Sequence, residues 1–307
     1  MAQPLLARLH EKIAGLQLDA LAPAWVAPLL RHMPEIGEVI EAPFEHGALQ
    51  WRARWKLGRS LRARAYDQAV VLPNTWKSAL VPFFADIPLR SGYVGESRYG
   101  LLNLKYANSR GNDTPMPLHY ARLAEAPDQP PREPLPLPRL VMDENRISAV
   151  RSRFGIAGPY AVFCPGAEFG PAKRWPYFKE LAARSGLPVV LLGSGNDAQA
   201  CKEISGTNLA GKTSLGEAIA LIGGAACVVS NDSGLMHVAA ALGRPQVSLF
   251  GSSSPERTPP LSSAARVVWL DLECSPCYQR ECPLGHFRCM NEIGVDRVLD
   301  EIKKLAP

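Results

Sequence analysis

No stretch of this chain stays apolar long enough to cross a membrane as a helix, and the charged opening MAQPLLARLHEK does not read as a signal peptide. Together these absences exclude an integral helical membrane protein. They give the expectation of a cytoplasmic protein whose contact with any membrane is peripheral. No internal repeat is visible, which leaves out a solenoid or propeller. No nucleic-acid reader motif occurs and the formal net charge is only +5, so nucleic acid is a poor candidate partner.

What is present fits a soluble α/β protein. The 307 residues suffice for two domains of ordinary size, and 47% hydrophobic with 21% charged residues is a globular composition. Charge is unevenly spread. Residues 1–124 carry 15 Lys+Arg against 10 Asp+Glu, whereas the rest carry 19 of each, so the whole surplus lies in the first part. Its densest run is WRARWKLGRSLRAR, Trp51 to Arg64. Two readings stand for this run, a solvated helix face or contact with an anionic partner.

Helix and strand patterns alternate along the first part. Pro4 to Ala14 is amphipathic, with Leu5, Leu6, Leu9 and Ile13 on one face. Strands are expected at Leu16–Leu21, Val39–Ile40, Tyr66–Leu72 and Leu89–Tyr93, and helices at Ala24–Met33, Trp51–Arg64 and Lys77–Phe84. This is the pattern of a parallel sheet covered by helices. The segment EAPDQPPREPLPLPR, residues 125–139, has six prolines and no apolar periodicity. It sets a partition into a first domain at 1–124, a Pro-rich linker at 125–142 and a second domain at 143–307. The final helix, Val295 to Leu305, is expected to pack back toward the first domain.

The second part carries the chemistry. ACVVSNDSGLMHVAAALGRPQVSLFG, residues 226–251, reads as strand, polar turn, helix, stop and strand. A helix starting at the carboxyl end of a strand offers unpaired N–H groups and partial positive charge to a phosphate. Asp232 or Ser233 can cap it, and Gly234 lets a ligand approach the backbone; an ordinary capped helix is the competing reading. YAVFCPGAEFGPAKRWP, residues 160–176, runs from strand through loop to Lys173 and Arg174 just before a helix opening at Pro176. A lysine at the mouth of such a loop can neutralise a diphosphate without a metal. Between them PVVLLGSGNDAQACKEI supplies another strand that ends in glycines, so three strand ends converge in one α/β half.

Seven cysteines are present. Cys164, Cys201 and Cys227 sit in apolar contexts and read as core residues. Cys274, Cys277, Cys282 and Cys289 form C-x2-C-x4-C-x6-C with His286 among them, a spacing compatible with tetrahedral zinc but here the less favoured reading.

PGAEFGPAKRWP, NDSGLMHVAAALGRP and CSPCYQRECPLGHFRCM, together with LPNTWKSALVPFFADIPLRSGYVGESRYGLLN, closely resemble the lipopolysaccharide heptosyltransferases, over nearly the whole chain. The resemblance implies an α/β GT-B fold, two Rossmann-like domains facing a cleft. It implies an inverting transfer of heptose from ADP-L-glycero-β-D-manno-heptose to the first heptose of the Kdo–lipid A inner core, with no metal or other cofactor. The partners would be ADP-heptose and an anionic lipid A–Kdo–heptose acceptor at the inner face of the inner membrane. Donor stereochemistry, the exact acceptor and oligomeric state stay open.

On this resemblance Lys173 is the candidate for the leaving diphosphate. The 233–235 backbone (Ser233, Gly234, Leu235) would hold phosphate oxygens, and Asp232 would contact the donor sugar or cap the helix. His237 is a donor contact or a supporting core histidine. Gly166, Ala167 and Glu168 would line the donor pocket, Glu168 alternatively bracing the loop through an ion pair. Asn74, Lys77 and Ser78 resemble the acceptor side. The family's first strand and its Gly-Asp loop, whose Asp is the proposed general base, would precede Met1-Ala2-Gln3 and map to no position here. The first domain is therefore expected to miss its first strand, and a fragment that only binds nucleotide sugar is the alternative function.

Overall fold

The computed structural model describes residues 1–45, 47–108 and 114–305. The chain divides into two compact units, Met1–Ala27 with Glu35–Pro136, and Pro28–Pro34 with Leu137–Pro307. Both are α/β with parallel strands, as the alternating pattern of the sequence leads one to expect.

In the first unit β1 (Ala20–Pro23) pairs with β2 (Val39–Ala42), and β3 (Gln68–Val71), β4 (Leu89–Tyr93) and β5 (Leu104–Tyr106) form a separate sheet in that order. Helix Gln3–Lys12, opened by a proline in its first turn, turns Leu5 and Leu9 into a core with Tyr93, Tyr106 and Leu123. Ile13 is 42% exposed rather than on that face, because the helix stops at Lys12. Strand β1 begins later than Leu16, and the Ala24–Met33 helix is a single turn, Ala27–Leu30. Strand β5 and helix Met116–Ala121 have no counterpart in the periodicity reading.

The second unit holds β6 (Ala161–Cys164), β7 (Val189–Leu191), β8 (Thr207–Asn208), β9 (Cys227–Asn231), β10 (Gln246–Leu249) and β11 (Ala265–Val268). They form one parallel sheet in the order β11-β10-β9-β6-β7-β8. Parallel strands covered on both faces must be apolar throughout, which is why AVFC, VVL and CVVSN are buried at every position. The faces alternate: Phe163, Leu191 and Val229 enter one core with Trp175 and Phe178, while Val162, Val190 and Val228 enter another with Ile219 and Leu221. Strand order reverses between β6 and β9, and crevices outside the carboxyl ends of strands at such a point bind ligands.

Pro28–Pro34 belongs with the second unit because Leu29 and Met33 pack against its core and the His32 carbonyl accepts the Val141 N–H at 2.8 Å. Within the expected linker, Leu140 is buried and donates its N–H to Ala241 O at 2.8 Å, so 137–142 is part of the second unit's packing. The last helix, Val295–Lys303, belongs to the second unit. Val295 and Val298 are buried in the second unit's own core beside Val247 and Leu249, which gives its apolar stripe a partner there.

Candidate active site

The loop after β6 carries Gly166, Ala167, Glu168, Phe169 and Gly170 into a single 3-10 turn, Pro171–Lys173. Gly166 is required by packing, since a Cβ there would overlap the Asp197 carboxyl. That carboxyl is held in turn by Ser194, whose N–H and Oγ donate to it at 2.9 and 2.7 Å. The chain next continues to Trp175, which is buried, and the following helix opens at Phe178 rather than at Pro176.

The loop after β9 meets this one. Asn231, fully buried at the strand end, donates from Nδ2 to Pro165 O at 2.8 Å and accepts the Trp175 N–H on Oδ1 at 3.2 Å. One side chain thus fixes both ends of the 165–175 loop. Asp232 follows, and its Oδ2 accepts from Lys173 Nζ at 2.5 Å and from Ser253 Oγ at 2.6 Å. The Lys173 side chain is only 15% exposed and that of Asp232 6%, so this is a largely desolvated, charge-assisted pair. Lys173 Nζ also lies 4.8 Å from the centroid of the Phe169 ring.

The capping expectation is corrected by this geometry. Ser233 is the N-cap residue of helix Gly234–Ala241, yet neither its hydroxyl nor the Asp232 carboxylate caps the first turn. The carboxylate is turned instead to Lys173 and Ser253. The N–H groups of that turn are therefore left without a side-chain acceptor, while the helix lends them partial positive charge. His237, one turn in, is half-buried, and burial pushes its pKa down, so it stands neutral near pH 7. Leu235 packs partly into the core behind the helix.

Lys173, Asp232 and Ser253 are thus joined directly, with Gly166, Ala167 and Ser233 on the two loops that Asn231 ties together. Glu168 is exposed and forms no ion pair among the described residues, so the loop-bracing alternative is not what it does; only its carbonyl is engaged, by Arg280 Nη2 at 3.3 Å. In the first unit, Lys77 Nζ donates to Gly47 O at 2.8 Å, Ser78 Oγ to Thr75 O at 2.5 Å, and Asn74 Oδ1 accepts from the buried Arg98 at 3.5 Å. Those three brace the turn after β3.

Sequence reasoning passed over Asn231 as a bracket, Ser253, Phe169 and Arg280. The run Ser252-Ser253-Ser254 just past the carboxyl end of β10 was the available signal for Ser253, since strand ends on this edge already pointed to the site. For the zinc reading, all four cysteines of segment 274–289 are free thiols, with Cys289 buried and Cys274 exposed. Among the described residues no group of three or more His, Cys, Asp or Glu side chains is placed to hold a metal ion. Cys164, Cys201 and Cys227 are buried, as small core residues.

Both the sequence and the fold have known relatives. The profile of glycosyltransferase family 9 (heptosyltransferase) matches residues 54–288. The chain is 44% identical to lipopolysaccharide heptosyltransferase 2 of Escherichia coli strain K12, over 99% of this chain and 94% of that protein. It is 42% identical to lipooligosaccharide heptosyltransferase 2 of Haemophilus influenzae, over 99% of this chain and 95% of that one. Its structure superposes with a TM-score of 0.88 on that of the E. coli ADP-heptose lps heptosyltransferase II, at 41% identity, covering 99% of this chain and 93% of the other.

Proposed function

The chain belongs to glycosyltransferase family 9, the heptosyltransferases, and from that premise we propose that it moves heptose from ADP-heptose to the first heptose of a Kdo–lipid A inner core. It is a glycosyltransferase of lipopolysaccharide synthesis with the GT-B type of α/β fold. The alternative of a fragment that only binds nucleotide sugar gains no support from relatives matched along 94% of their length.

One observation carries the reading of the site. Lys173 and the uncapped start of helix Gly234–Ala241 are brought together through Asp232 at the strand-order reversal. In the proposed reaction an acceptor hydroxyl releases its proton to solvent as its oxygen bonds to the anomeric carbon from the face opposite ADP. The bond from that carbon to the β-phosphate oxygen breaks, and its electron pair stays on ADP. Negative charge therefore grows on the diphosphate, where the Lys173 ammonium and the 233–235 N–H groups would stabilise it without a metal. Asp232 and Gly166 to Glu168 would face the donor sugar, with His237 supporting them. Asn74, Lys77 and Ser78 would serve the acceptor.

Under this proposal the acceptor is lipid-anchored and anionic, and the reaction takes place at the inner face of the inner membrane. No helix among the described residues is long and apolar enough to cross one. The test is mass spectrometry of a core acceptor ending in one heptose, incubated with the chain and ADP-heptose in excess chelator. A product heavier by one heptose is expected; an unchanged acceptor, with ADP-heptose also intact, would refute the assignment.

A further inference from the structure

The cysteine-rich segment 274–289 has so far no role, and it lies against the donor loops. Ser275 Oγ donates to Gly251 O at 2.5 Å, and the Tyr278 N–H donates to Ser252 O at 2.7 Å. The Ala172 N–H, one residue before Lys173, donates to Arg280 O at 3.1 Å. Gly170 has φ +146°, and a Cβ on it would overlap that same Arg280 carbonyl, so the glycine is what lets the segment close on the loop. Segment 274–289 is thus a strap across the 168–173 loop.

Arg280 is the strap's cation at this point. Its guanidinium lies 5.8 Å from the centroid of the Phe169 ring, the ring that Lys173 Nζ also contacts at 4.8 Å. Nη2 reaches Glu168 O at 3.3 Å. Among the described residues no carboxylate pairs with it.

The charges then do not balance without it. The Lys173 ammonium is already offset by the Asp232 carboxylate at 2.5 Å, so that pair is close to neutral. A diphosphate brings more than one negative charge, so beyond its contact with Lys173 it calls for further positive charge nearby. Among the described residues Arg280 is a neighbouring cation, exposed and without a carboxylate partner, that a carbonyl and a ring orient toward this loop. Its planar fork of donors also suits phosphate oxygens.

We propose that Arg280 is a second cation of the nucleotide-diphosphate site, carried there by the strap 274–289 and positioned over Phe169. The proposal rests on the donor reading of the Lys173 site and adds a residue to it. Arg280 binds the diphosphate of the donor and of the leaving ADP, while Lys173 keeps its link to Asp232.

The experiment is calorimetric titration of the full chain with ADP and, separately, with adenosine, in excess chelator. Arg280→Ala is expected to weaken ADP roughly 10- to 100-fold, the worth of a charge-assisted phosphate contact, and to leave adenosine within about 3-fold. Arg280→Lys should recover part of the ADP affinity, because it restores charge without the fork. In turnover, Arg280→Ala should raise the KM for ADP-heptose. Equal losses for ADP and adenosine would show a merely structural strap and overturn the proposal, as would unchanged ADP affinity in folded Arg280→Ala. If Arg280→Ala does not fold, Arg280→Lys and Arg280→Gln decide, with Gln expected to lose ADP affinity that Lys keeps and equal affinities overturning the proposal. Failure of the unaltered chain to bind ADP at all would instead count against the donor reading.

Discussion

At the scale of single residues, the site depends on side chains that serve two loops at once. Asn231 is the clearest case, since its amide satisfies Pro165 O on one side and the Trp175 N–H on the other, both from a fully buried position. Asn231→Ala leaves a buried acceptor and a buried donor without partners, each costing about 1–3 kcal/mol, so a loss of roughly 2–6 kcal/mol is expected. Asn231→Asp keeps the acceptor but buries a charge facing a carbonyl, and should be no more stable than the alanine variant. Urea denaturation measures both; a change below about 0.5 kcal/mol in either would contradict the bracket role. Lys173 and Asp232 were each legible in the sequence as polar residues at strand ends, but their pairing was not. They are 59 positions apart, and the local rule for a helix start offered the Asp232 carboxylate, alongside Ser233, as a cap. A long-range ion pair outcompeted a short-range preference, and nothing in a local pattern records that contest.

At the scale of elements, the strands of the second unit were readable because burial on both faces demands continuous apolar runs such as AVFC and CVVSN. The short elements were not. Strand β5 is three residues, LKY, too brief to show a period, and Lys77 falls in a 3-10 turn, Trp76–Ala79, that precedes a five-residue helix. The final helix was found in nearly its true place, but its seat in the second unit's core was not foreseen. An amphipathic stripe announces that a helix packs but not on what, and Val298 proved to seat beside Val247 of its own unit. The strap 274–289 was visible as a motif, yet its spacing spoke only to zinc, the less favoured reading. Its observed contacts to Gly251, Ser252 and Ala172 are made largely by backbone atoms and hydroxyls, which cysteine spacing does not encode.

At the scale of the whole molecule, the order of the long motifs carried the family, and the uneven charge carries an expectation about the two substrates. The formal surplus of +5 lies wholly in residues 1–124, and helix Trp51–Leu61 leaves Arg52, Lys56 and Arg59 exposed. If the first unit receives the anionic acceptor, the apparent affinity for the lipid acceptor should fall as salt rises toward 1 M. ADP affinity should change less, because Lys173 is largely shielded from solvent. Equal salt sensitivity of the two ligands would contradict that division of labour. The central claim is narrower: the Lys173 site binds the nucleotide diphosphate by its own charges. Calorimetric titration of ADP into the chain and into Lys173→Ala, both in excess chelator, tests it most directly. The account predicts binding that survives chelation and weakens by about 1.5–3 kcal/mol in the variant, the worth of a hydrogen bond to a charged group. Binding abolished by chelator, or equally tight in Lys173→Ala, would contradict it.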